Sequence, residues 1–102
     1  MLDTAALRDL RGYIKQRITY AKYKADNVFY RAELNDVSIN ADGTVRAQLS
    51  IIPETLPTTI TRVELWSSAN ELWCHKDVRI TISSEQTGAL YWFDFTVTEQ
   101  EV

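Results

Sequence analysis

The hydrophobic pattern of the chain changes period once. From Thr4 to about Ala25, the residues Leu7, Leu10, Ile14, Ile18, Ala21 and Ala25 recur at spacings of three and four. That spacing puts them on one stripe at 3.6 residues per turn. Tyr13 and Tyr20 widen the stripe, while Arg8, Arg11, Lys15, Lys22 and Lys24 fall mostly outside it. Asp3 or Thr4 is placed to take up the free amides of the first turn. The pattern predicts an amphipathic helix over about residues 4–25, ended where Asp26 and Asn27 break the stripe. Gly12 weakens its interior by about 1 kcal/mol relative to alanine. Such a helix is marginal alone, so its stripe requires the rest of the chain.

Beyond Asn27 the period is two. Val28, Tyr30, Ala32 and Leu34 alternate with Phe29, Arg31 and Glu33, predicting a strand over about 28–39. Asn40-Ala-Asp-Gly43 is a turn, with Gly43 suited to the left-handed position. Val45, Ala47, Leu49 and Ile51 form one face of a second strand, 44–52. After the loop bracketed by Pro53 and Pro57, strands are predicted at 58–67, 71–82 and 89–98, joined through Ser67–Asn70 and Ser83–Gly88. The reading is a single α+β domain: an N-terminal helix packed on one face of an antiparallel, meander-like sheet of about five strands. Alternation gives Val63, Leu65, Leu72, Cys74, Tyr91, Phe93, Phe95 and Val97 a common core face. The helix stripe is expected to lie on Val63, Leu65, Phe93 and Phe95.

The same alternation turns Trp66, Trp73 and Trp92 to the opposite face, beside Arg62, Glu64, Glu71 and Asp94. One helix cannot cover both sides of the sheet. The tryptophan face therefore meets a partner, or the sheet curls and packs the rings locally. A charge-rimmed interface made of Trp66, Trp73, Trp92, Arg62, Glu64 and Glu71 is the expectation, with the chain self-associating or docking on another protein. Aromatics beside paired carboxylates keep an alternative open, a carbohydrate-binding module or a small glycan-active protein.

Charge and composition narrow the chemistry. Residues 1–24 hold six Lys/Arg and two acids, and residues 25–102 hold five and twelve, within a net charge of −3. This reads as a basic helix near an acidic sheet, or as a bipolar surface that orients a partner. The acidic bulk repels phosphate, so nucleic acid is not expected as a partner. Three glycines in 102 residues disfavour phosphate-cradling loops. Cys74 is the single cysteine, so no intrachain disulfide forms and cysteine-rich zinc sites are excluded. Adjacent in a strand, Cys74 and His75 point to opposite faces, against a Cys–His nucleophilic pair. One histidine and one cysteine leave a tetrahedral metal shell unfilled. No catalytic residue, metal or cofactor is expected. No signal peptide or membrane-spanning run is legible, which predicts a cytoplasmic or virion location.

Two segments, TRVELWSSANELW (61–73) and LYWFDFTV (90–97), resemble edge hairpins of small phage- or prophage-encoded tail and fibre-associated proteins. This chain has Ala69-Asn70 where those hairpins carry a glycine turn. The resemblance covers about a fifth of the chain and carries over no catalytic residue. It implies a structural or accessory virion role with protein partners and no cofactor.

Overall fold

The computed structural model describes residues 3–96. Its elements are α1 (Thr4–Arg17), β1 (Ile18–Ala25), β2 (Val28–Ile39), β3 (Val45–Ile51), β4 (Thr58–Ser67), β5 (Leu72–Ile82) and β6 (Ala89–Phe95). The fold is α+β, but the open meander of five strands is replaced by six antiparallel strands in the order β5-β4-β1-β2-β3-β6.

The extra strand comes out of the predicted helix. α1 stops at Arg17, and Ile18–Ala25 pairs with β2 on one side and β4 on the other. The segment ITYAKYKA also alternates. Ala21, Tyr23 and Ala25 are buried, while Lys22 and Lys24 between them stay half-exposed. β-branched Ile18 and Thr19 and the two tyrosines favour a pleated surface over a helix. Asp26 and Asn27, which would merely end a helix, are both at positive φ (52° and 61°). Positive φ at both central positions is the signature of the two-residue type I′ hairpin loop, whose twist matches the flanking strands.

β2 is shared between two halves of the sheet. Val28–Ala32 pairs with β1, and Glu33–Ile39 pairs with β3, with a register shift between Leu34 and Asp36. At the far end of that hairpin Gly43 sits at φ 87°, Asn40 and Gly43 close the turn, and the Thr44 amide donates to Asp42 Oδ1 at 2.9 Å.

The connections force the sheet to curl. β5 and β6 occupy opposite ends of the strand order, five spacings or about 24 Å apart if the sheet were flat. The link between them is only Ser83–Gly88, and its Gln86 amide turns back to the Ser83 carbonyl at 3.1 Å. Even fully extended, six residues reach only about 20–22 Å, and the turn shortens this link further. The sheet therefore bends into a barrel that is nearly closed, and no pairing joins β5 to β6 among the described residues. Its concave face is the core: Leu49 and Ile51 from one half, and Val63, Leu65, Ile60 and Ile82 from the other, are all but fully buried. Gly88 sits where an added Cβ would collide with the Ile51 carbonyl oxygen, so β6 begins tight against the end of β3.

The helix is subordinate to this core. It lies mainly against β1, β2 and β3, with Tyr13 reaching Trp73 on β5, rather than on a face built from Val63, Leu65, Phe93 and Phe95, and none of its residues is fully buried. Ile14 is its contribution to the core, and Arg11 lies over Gly43 at the β2–β3 turn. Leu72, expected in the core, is 40% exposed and sits opposite Trp66. Val97 lies outside the described residues.

Candidate functional site

The three tryptophans do not share one face. Trp66 and Trp92 stand on the outer side of the barrel, on β4 and β6, which lie four strands apart in the order. Trp73 is turned the other way. Between the pairs Leu65↔Cys74 and Trp66↔Leu72 the β5 strand holds one extra residue, Trp73. This bulge breaks the alternation. Trp73 instead packs against the core and meets Tyr13 of α1, ring centres 6.3 Å apart. The expected interface residues thus separate into a group that meets and a group that does not.

Trp66, Arg62 and Glu64 meet. Glu64 is only 4% exposed. Its Oε2 accepts from Arg62 Nε at 2.8 Å, and its Oε1 accepts from Trp66 Nε1 at 3.0 Å. A buried carboxylate survives because both oxygens are taken by donors, one of them cationic. Trp66 stacks on Tyr20 (5.9 Å, 13°), and the Tyr20 hydroxyl donates to Asn70 Oδ1 at 3.0 Å. Glu71 is exposed, and its backbone carbonyl closes the β4–β5 hairpin by accepting from the Ser67 amide. Asp94, on β6, pairs with Arg46 through two hydrogen bonds of 2.8 and 3.0 Å, which holds its carboxyl below the usual range. Arg46 also lies over the Trp92 ring at 5.4 Å. Glu64, Glu71 and Asp94 therefore form no carboxylate pair. Trp92 lines a shallow depression with Leu90 and Tyr91, to which neither Trp66 nor Trp73 contributes. A deeper groove lies between the β1–β2 hairpin and the loop after β3, lined by Tyr23, Tyr30, Asp26 and Glu54, again without a tryptophan.

Cys74 is half-buried on the core face and His75 is exposed. Burial pushes the Cys74 thiol up to about 11. No cluster of three or more His, Cys, Asp or Glu among the described residues is arranged to hold a metal ion. No helix among them is long and apolar enough to cross a membrane.

The feature that alternation alone did not reveal is the difference between the two edges of the sheet. β5 carries exposed His75, Lys76, Asp77 and Arg79, and its pairing with β4 shifts register twice. Charges and bulges of this kind blunt an edge against further pairing. β6 has neither. It pairs with β3 through seven consecutive positions without a shift. Its one charge, Asp94, is matched by Arg46. Leu90 (58% exposed) and Trp92 (48% exposed) point outward. Tyr91, Phe93 and Phe95 form a half-buried row on the concave side, Tyr91–Phe93 edge-on at 5.4 Å and Phe93–Phe95 stacked at 6.4 Å.

No protein-family model, curated protein or solved structure matches the chain. The resemblance of residues 61–73 and 90–97 to phage tail hairpins gains no support from these comparisons.

Proposed function

We propose that the chain is a non-enzymatic protein-interaction domain that works by strand addition at β6, and that the strand added is the β6 of a second copy. The observation that carries this reading is the unprotected β6 edge beside the Tyr91, Phe93 and Phe95 row, in a sheet whose other edge is charged and bulged. A strand edge offers unpaired amides and carbonyls, and an added strand gains affinity from them. An antiparallel pair centred on Phe93 sets Phe93 against its own copy and Tyr91 against Phe95 of the second copy. All three aromatics of the row then face aromatics, each such pair contributing about 0.2–1 kcal/mol. The nearly closed barrel gains a continuation at the edge that carries the half-buried aromatic row.

Light scattering at micromolar concentration tests this. The wild type should show a mass between monomer and dimer that falls on dilution. Leu90→Lys places a charge on the exposed side of the edge without touching the core, and should yield a monomer at every concentration. A wild-type mass that stays monomeric across the dilution series, or an L90K variant that associates as the wild type does, refutes pairing through β6.

A further inference from the structure

The outer face of β2, β1 and β4 holds three cations that no carboxylate among the described residues neutralises. Lys22 and Arg31 stand directly opposite in the β1–β2 register, and Lys24 is two residues further along β1. Every ion pair among the described residues joins other side chains: Arg8–Asp9, Arg46–Asp94, Arg62–Glu64 and Arg62–Asp77. Glu64 stands opposite Lys22 in the β1–β4 register but is occupied by Arg62 and Trp66. Each of the three cations rests instead on a ring. Lys22 Nζ is 4.3 Å from the Trp66 centre, Arg31 Cζ is 4.0 Å from that of Tyr20, and Lys24 Nζ is 5.5 Å from that of Phe29. A ring attracts a cation through its quadrupole without cancelling the charge. Like charges set opposite one another in a sheet are destabilising. The face is thus positive and positioned, in a chain whose net charge is −3.

We infer that this face binds an extended acidic protein segment, with carboxylates on alternate residues taken by Lys22 and Lys24 along β1 and by Arg31 across on β2. Lys22 and Lys24 are two residues apart on a strand, about 6.6 Å, which is also the repeat of same-side side chains in an extended peptide. Single-stranded nucleic acid fits less well. It binds by stacking bases on free ring faces. Here Tyr20 and Trp66 are stacked on each other and capped by Arg31 and Lys22. A long polyphosphate also meets the repulsion of the whole acidic chain, whereas a short segment feels mainly charges within about 8 Å.

The probe is a short peptide alternating glutamate and threonine, titrated against the full chain and followed by tryptophan fluorescence, with an oligothymidylate of similar length in parallel. Trp66, lying under Lys22, is the reporter. The peptide should bind saturably and more weakly as salt is raised. A Lys22→Gln, Arg31→Gln variant, with its fold checked by circular dichroism, should bind about tenfold more weakly or worse. Lys15→Gln, on the exposed side of α1, should leave binding unchanged, and so should Leu90→Lys, which separates this site from the β6 edge. The inference is overturned by an absence of saturation, by equal affinity in the double variant, by an equal loss in K15Q, or by tighter binding of the oligothymidylate.

Discussion

Replacing Glu64 with alanine removes the acceptor for two donors at once. In the folded chain its carboxylate is 4% exposed and takes Arg62 Nε at 2.8 Å and Trp66 Nε1 at 3.0 Å. A hydrogen bond to a charged group contributes roughly 1.5–3 kcal/mol, and leaving its partner unsatisfied costs a similar amount. Arg62 is partly exposed and Asp77 lies 4.0 Å away, so water and Asp77 recover part of the loss. The indole N–H, covered by the same carboxylate, has less recourse. The expected destabilisation is about 2–3 kcal/mol, which for a chain of this size is roughly 10–20 °C in Tm. Glu64→Gln keeps an amide oxygen for the indole and loses the charge facing Arg62, so it should fall near half that cost. Urea denaturation followed by tryptophan fluorescence gives both values. Arg62→Ala alone and together with Glu64→Ala completes a double-mutant cycle, in which the two should couple by about 1 kcal/mol or more. A Glu64→Ala cost under about 0.5 kcal/mol, or additive single effects, would show that this carboxylate is not what holds Arg62 and Trp66 in place.

Leu49→Ala, at a fully buried position on β3, should cost about 3 kcal/mol in the same assay, whereas Ile14→Ala on the half-buried helix should cost about 1 kcal/mol. Native Cys74 should react with a thiol reagent far more slowly than in the urea-unfolded chain at neutral pH, and faster as pH rises toward its value of about 11. Asp94 is held below the usual carboxylate range by its hydrogen bonds from Arg46. Its stabilising effect is therefore present above the unfolded carboxylate value and lost as pH falls through the lower folded one. The stability difference between wild type and Asp94→Asn should shrink in acid, as read from urea midpoints at neutral and acidic pH.

The period-two runs at 28–39, 45–51 and 58–67 are local signals, and local signals are what a sequence carries best. The first element shows where they run out. Ile14, Ile18, Ala21 and Ala25 satisfy a helical stripe, while Ala21, Tyr23 and Ala25 satisfy a strand, and nothing within the segment decides between them. The choice is made by Asp26–Asn27 folding the chain back on β2 and by β4, some forty residues away, pairing on the other side. Trp73 fails for a different reason. One bulge residue reverses parity, so strict alternation puts Trp73 on the wrong side of the sheet. Arg62, Glu64 and Trp66 share one strand whose own alternation is unbroken, the extra residue lying on β5, and their hydrogen bonds follow from that shared side. The contrast between the β5 and β6 edges needed the strand order, which depends on pairings between distant segments.

Among the described residues that order leaves β6 hydrogen-bonded to β3 alone, so in a regular antiparallel ladder only every other amide of Ala89–Phe95 has a partner among them. The amides facing β3 should exchange with solvent deuterium slowly, with the opening of this last strand, and those facing away should exchange quickly in dilute solution. If β6 pairs with a copy of itself, the fast set becomes slow as concentration rises while the β3-facing set changes little. Two interleaved groups of amides on a seven-residue strand would then report separately on folding and on assembly, residue by residue, in one spectrum.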